Sequence, residues 1–237
     1  MILYANGCSH TAAAEAVVPH CFAEDDGNLP QNWLLGRVPH PANLAASWCT
    51  HLSRALGRNL VCDAESASSN DRIIRTTLKW LDQNFDPCTD VIAIIQWSTW
   101  EREEWLHNGV WYQVNASGTD SVPVELEQRY RDYILGIDYQ TKTQLAHQRI
   151  WDLHVQLKNR GIRHLFYSSW STFSDIPPDQ QQDWGVNYME PYNRDASYAA
   201  VLRQNGFSHT RGYHFGADAH CFWAEYMLQY INANNLV

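Results

Sequence analysis

Ile2-Leu3-Tyr4-Ala5-Asn6-Gly7-Cys8-Ser9-His10 starts as a short apolar run and ends in a glycine followed by small and polar residues. The run Ile2–Ala5 predicts a strand, and Gly7 permits a close turn after it. A serine on such a turn shows its hydroxyl at the sheet edge, with its own backbone N–H beside it. Gly-x-Ser is a common tripeptide and equally suits a capping serine. Its meaning therefore depends on what the rest of the chain sets next to it.

Further strands follow at intervals. Asp90-Val91-Ile92-Ala93-Ile94-Ile95 is nearly all apolar and rich in β-branched side chains, as a strand covered on both faces requires. Asn59–Ala64 and His164–Tyr167 read as two more strands. Helical patterns lie between them. From Asn43, the residues Leu44, Trp48, Leu52 and Leu56 recur at about every fourth position until Gly57. Ser69-Asn70-Asp71 caps a stripe of Ile73, Ile74, Thr77, Leu78 and Leu81. Thr143–Arg160 carries Ala146, Ile150, Leu153 and Leu157 on one face and stops at Gly161. Residues 125–136 and Asp195–Gln204 are shorter helices, and a last one runs from about Ala217 to Asn232.

This alternation predicts a three-layer α/β/α fold with a mostly parallel central sheet. In such sheets the active residues sit on loops at the carboxyl ends of strands. One domain is expected over residues 1–237, with insertions near 11–42, 101–124 and 171–194.

Composition narrows the function. Hydrophobic residues make up 45% of the 237, an ordinary globular share. The formal charge of -9, from 17 basic and 26 acidic residues, disfavours a nucleic-acid partner. No apolar run approaches the ~18 residues of a membrane span, and the first five residues lack the basic start of a secretory signal. A cytoplasmic protein is expected, or one carried in a phage particle; membrane partners are not, and the sequence leaves the oligomeric state open. The six cysteines are scattered and read as reduced and mostly buried. Aromatics are abundant, with eleven Trp and twelve Tyr. Trp97, Trp100, Trp105, Trp111 and Tyr112 crowd one segment, either as core beneath an insertion or as a surface for sugars or proteins.

Three further motifs join the first. Ala64-Glu65-Ser66-Ala67-Ser68-Ser69-Asn70 follows the second strand, where small residues let backbone amides approach a ligand. Gln96-Trp97-Ser98-Thr99 follows the third, with polar side chains able to donate to an oxyanion. His214-Phe215-Gly216-Ala217-Asp218-Ala219-His220 enters the final helix. A histidine there reaches a serine on a neighbouring strand end as general base and then general acid.

In order and placement these motifs resemble the SGNH/GDSL hydrolase superfamily, including a divergent branch found in phage and environmental proteins. Ser9 matches the serine of the family's Gly-Asp-Ser block, with Cys8 replacing the aspartate. Ala67 stands where the second block has glycine, and Ser98 where the third has asparagine. His214 matches the family histidine, with Phe215 and Gly216 replacing Pro and Asn, and Ala224 keeps the helix frame. The resemblance implies a flavodoxin-like fold and a serine ester hydrolase that needs no metal or other cofactor. Its substrate would be a small-molecule or carbohydrate ester. Ser9 would be the nucleophile and His214 the base. The amides of Ser9 and Ala67, with the Ser98 side chain, would form the oxyanion hole, and Asn70 would be a reserve donor.

The family's aspartate falls at Arg211 or Gly212, so the motif itself offers no acid. Either a Ser–His dyad operates or another carboxylate substitutes, with Asp183 and Asp218 as candidates. A second register takes Asp218 and His220 as the acid and base. Two rivals stand beside these readings. One is a catalytically impaired binding or structural module on the same scaffold. The other is a metal hydrolase drawing on His10, His20, His209, His214 and His220 with Cys8, Cys21 and Cys221, although His214 and His220 lack a standard ligand spacing.

Overall fold

A computed structural model of the chain describes residues 1–19, 38–116, 122–210 and 212–237. Four strands, β1 (Ile2–Asn6), β2 (Asn59–Cys62), β3 (Val91–Trp97) and β6 (Arg163–Ser168), form one parallel sheet in the order β2-β1-β3-β6. Ala5 pairs with Cys62 on one side and Ile94 on the other, and Trp97 pairs with Ser168. The expected three-layer α/β/α architecture is formed. Because β1 lies between β2 and β3, the winding reverses there. The crevice beyond the carboxyl ends of β1 and β3 is the usual ligand position in such sheets.

Alternate side chains of each strand enter one of two cores. On one face Leu3, Ala5, Ile92, Ile94, Leu165 and Tyr167 pack with buried residues of α2 (Trp48–Ala55), α6 (Tyr198–Gln204) and α7 (Ala217–Ala233). On the other, Tyr4, Ala93, Ile95, Trp97 and Phe166 meet α3 (Asn70–Asn84) and α5 (Tyr139–Asn159). Both faces are covered, which is why β3 reads as an unbroken apolar run. No helix among the described residues is long and apolar enough to cross a membrane.

Several boundaries differ from the sequence expectation for local reasons. The helix expected from Asn43 is two helices, α1 (Pro41–Ala45) and α2. Ser47 is extended, and its Oγ accepts a hydrogen bond from Thr50 N, so it starts a new helix. Asp138 caps α5 at Gln140 N and moves its start back to Tyr139. The segment 101–124 is not an irregular insertion throughout. It contains an antiparallel hairpin, β4 (Glu103–His107) and β5 (Val110–Val114), turned at Asn108-Gly109 with φ of 49° and 78°. Positive φ at both residues is the hairpin turn that Asn-Gly favours. Trp105 and Val114 pack on Tyr130 of α4 (Glu127–Leu135) in a third, small core. Trp97, Trp100 and Trp105 are buried, whereas Trp111 is partly exposed beneath the Arg75 guanidinium. Of the five described cysteines only Cys8 and Cys49 are buried, while Cys88 and Cys221 are exposed. Residues 20–37, within the expected insertion 11–42, lie outside the described part, as do His20 and Cys21.

Two positions test the backbone. A Cβ on Gly7 would lie 2.4 Å from Thr11 Oγ1 and 2.9 Å from Gln96 Cβ. Gly7→Ala should destabilise the protein by about 1–3 kcal/mol in denaturant unfolding. Ala67 holds φ of 64°, a left-handed conformation that suits glycine. Ala67→Gly should therefore raise stability, by about 0.5–1 kcal/mol in the same measurement.

Candidate active site

The turn after β1 is set from beneath. Gln96, fully buried near the end of β3, accepts a hydrogen bond from Thr11 Oγ1 at 2.8 Å and from Cys8 N at 3.4 Å through Oε1. Its Nε2 donates to Trp97 O and lies 3.1 Å from Cys8 Sγ. Asn6 Oδ1 accepts from Gly7 N at 2.8 Å, while its Nδ2 lies within reach of Thr76 and Thr77 on α3. The chain thus leaves β1 in one orientation, with Ser9 at the surface of a cleft of about 300 Å³. His10, Ser98, Arg102, Trp170 and His214 also line this cleft.

His214 is held by a carboxylate from the same N-terminal turn. Its Nδ1 lies 3.0 Å from Glu15 Oε2, and Thr210 Oγ1 donates to the same oxygen at 2.5 Å. A carboxylate only accepts, so Nδ1 carries the proton and Nε2 keeps its lone pair. Burial, the largest influence, holds the His214 imidazole below the usual histidine value; the hydrogen bond and charge of Glu15 oppose this, and the charge of Arg102 adds to it. Burial of Glu15 acts to raise its value, but the hydrogen bonds from Thr210 and His214 outweigh it and keep the acid below the usual glutamate range. At neutral pH the pair is a neutral imidazole on an ionised carboxylate.

The carboxylate on His214 comes from a place that the motif did not indicate. Asp183 accepts from Gly185 N, and Asp218 Oδ1 from Ala219 N at the start of α7. Gly212, at one of the two positions where the family has its acid, would bring a Cβ within 2.6 Å of Glu15 Oε2. The glycine leaves the space that the Glu15 carboxylate fills. Glu15 and Ala13 both adopt left-handed backbone, with φ of 60° and 54°. Such strain is found where the fold over-determines a functional geometry.

The other candidates have separate places. Asp218 and His220 do not pair. His220 is buried in the core, where its Nδ1 accepts from Trp48 N, and burial pushes its value down to about 3. Asn70, expected as a reserve oxyanion donor, has its side chain bound to the strand end. Its Oδ1 accepts from Ser98 N at 2.8 Å, and its Nδ2 donates towards Ser98 O and Thr99 O. It positions Ser98, which lines the cleft. Ala67 is not among the residues that line it. His10 has contacts of its own. Its Nε2 accepts from Trp170 Nε1 at 2.7 Å, and its Nδ1 is buried without a partner among the described residues. Burial, with the nearby charges of His214 and Arg102, holds it well below the usual value. Ser9 Oγ makes no hydrogen bond to His214 among the described residues; its neighbour is Cys8 Sγ at 4.0 Å. Among the described residues no three His, Cys, Asp or Glu side chains cluster as a metal site would require.

The chain is similar in structure to three solved proteins. A protein described as lipolytic, of the G-D-S-L family, from Desulfitobacterium hafniense DCB-2 aligns over 97% of this chain and 98% of its own, at 12% identity and a TM-score of 0.47. The acetyl xylan esterase Est2A from the rumen bacterium Butyrivibrio proteoclasticus aligns over 100% and 65%, at 12% identity and a TM-score of 0.47. A carbohydrate esterase family 2 enzyme with a carbohydrate binding domain, from Corynascus thermopiles (Myceliophthora fergusii), aligns over 98% and 66%, at 14% identity and a TM-score of 0.42. No curated protein matches the chain by sequence. Residues 40–236, which include Ser98, Arg102 and His214 but not Ser9 or Glu15, match the family described as one of unknown function, DUF6071, and the chain belongs to that family.

Proposed function

We propose that the protein is a serine ester hydrolase with Ser9 as nucleophile, His214 as base and Glu15 as the acid that orients it. One observation carries this reading: the Glu15 carboxylate bonds His214 Nδ1 in the cleft that Ser9 lines. This leaves Nε2 unprotonated and its imidazole neutral at pH 7. An acylated carbohydrate fits the aromatic wall of Trp170 and Tyr213, since aromatic faces stack on sugar rings.

Ser9 Oγ attacks the ester carbonyl carbon while His214 Nε2 takes its proton. Glu15 stabilises the imidazolium that results. The negative oxygen of the tetrahedral intermediate is met by Ser9 N–H and the Ser98 hydroxyl. The intermediate collapses, the C–O bond to the alcohol breaks, and His214 returns the proton to the leaving oxygen. Water then attacks the acyl-serine with the same imidazole as base, releasing the carboxylic acid and restoring Ser9. Each bound substrate must bring Ser9 Oγ to His214, as catalytic hydrogen bonds often tighten only in the complex. The open Ser9–His214 contact is what favours the second reading, a binding module on the same scaffold.

With p-nitrophenyl acetate, Ser9→Ala and His214→Gln should each lower kcat/KM by about a thousandfold or more. Equal acetyl release by wild type and Ser9→Ala would leave only the binding module. The pH profile gives an independent check. Activity of the wild type should rise through an apparent pKa below 6.5 and stay level through neutral pH, because only neutral His214 accepts the proton. Glu15→Gln removes an influence that raises the imidazole value, so the acid limb should move to still lower pH while the plateau falls by about 10²–10⁴. A limb that moves upward would separate Glu15 from the base.

A further inference from the structure

Arg102 lies between the Ser98-Thr99 strand end and the first residue of β4, and it lines the cleft shared by Ser9 and His214. Its side chain is half-buried, and Nη1 is shielded from solvent with no hydrogen-bond partner among the described residues. The acids around it are engaged elsewhere. Glu103 holds Lys142 and accepts from Trp105 Nε1, Glu104 holds Arg75, and Asp71 holds Arg149. Glu101, also on the cleft wall, accepts from Thr99 Oγ1 at 2.6 Å. No described carboxylate forms an ion pair with Arg102. It is also the only Arg or Lys among the described residues that line the cleft. Its charge reaches the reacting centre, where it lowers the values of both His10 and His214.

A partly desolvated guanidinium without a counter-charge is costly unless a ligand supplies one. Its planar fork matches a carboxylate in geometry, and such charge-assisted pairs are the strong ones. We infer that Arg102 receives a carboxylate of the substrate, so that the ester cleaved at Ser9 carries a negative charge close to its scissile bond. This rests on the reading of Ser9 as an esterase nucleophile and adds the class of ester. The carboxylate belongs either to the acyl group, as in a dicarboxylic half-ester, or to the alcohol, as in an acylated acidic sugar.

Two matched pairs of esters separate these sources. Mono-p-nitrophenyl succinate against p-nitrophenyl butyrate places the charge on the acyl side. 4-Acetoxybenzoate against its methyl ester places it on the alcohol side. Wild type should prefer the charged member of one pair by about tenfold in kcat/KM, and Arg102→Gln should cut that ratio by about tenfold. Arg102→Lys should keep part of it. Equal rates within both pairs, or a ratio untouched in Arg102→Gln, would overturn the inference. Binding of the same four esters to Ser9→Ala, followed by calorimetry, keeps the two readings apart. Tighter binding of a charged ester, lost in the Ser9→Ala/Arg102→Gln protein, supports the anion site even if wild type hydrolyses none of them. Equal binding of charged and neutral members removes it.

Discussion

The hydrogen bonds of one buried glutamine govern the geometry of the cleft. Gln96 sits near the end of a strand with no access to water, so its amide must be satisfied by protein. It is satisfied by Thr11, Cys8 and Trp97, two of which belong to the turn that carries Ser9. The close approach leaves no room for a side chain at Gly7. Two adjacent strands, a glycine and one amide therefore decide where the serine hydroxyl stands. The reversal of winding between β1 and β3 opens the crevice into which it points.

The same turn supplies the carboxylate that holds His214. Residues 8–15 carry both Ser9 and Glu15, while the His214 loop brings only the imidazole, Thr210 and the empty space at Gly212. The carboxylate on His214 therefore comes not from the histidine's own loop but from the turn that carries Ser9. Left-handed backbone at Ala13 and Glu15 is the cost of folding that turn tightly enough. Asn70 performs a comparable service on the other wall, tying the start of α3 to the backbone of Ser98.

Much of the fold was legible because its signals are local. A β-branched run, regular apolar spacing and capping serines mark β3, α3 and α7 directly. The Asn108-Gly109 turn is equally local, since that dipeptide between alternating residues is a strong hairpin signal, but the crowded aromatics around it suit an irregular insertion as well. The break at Ser47 lay hidden beneath a periodicity that continues across it. The site was legible only in part. Ser9 and His214 stand at strand and helix boundaries where pattern reading works. Glu15 stands in a stretch without periodicity, 199 residues from its partner, and no spacing rule connects them. Gln96 looked like a turn residue because burial at a strand end cannot be read from residue type.

That separation between Glu15 and His214 has a consequence for how the protein comes into being. The contact joins residues 199 apart, so it forms only when the turn after β1 and the loop before α7 have both found their places. During synthesis, Ser9 and Glu15 emerge well before His214. A chain interrupted between them holds Ser9 and Glu15 without the imidazole. The Glu15–His214 contact thus reports that two segments far apart in the sequence have both reached their places in the fold.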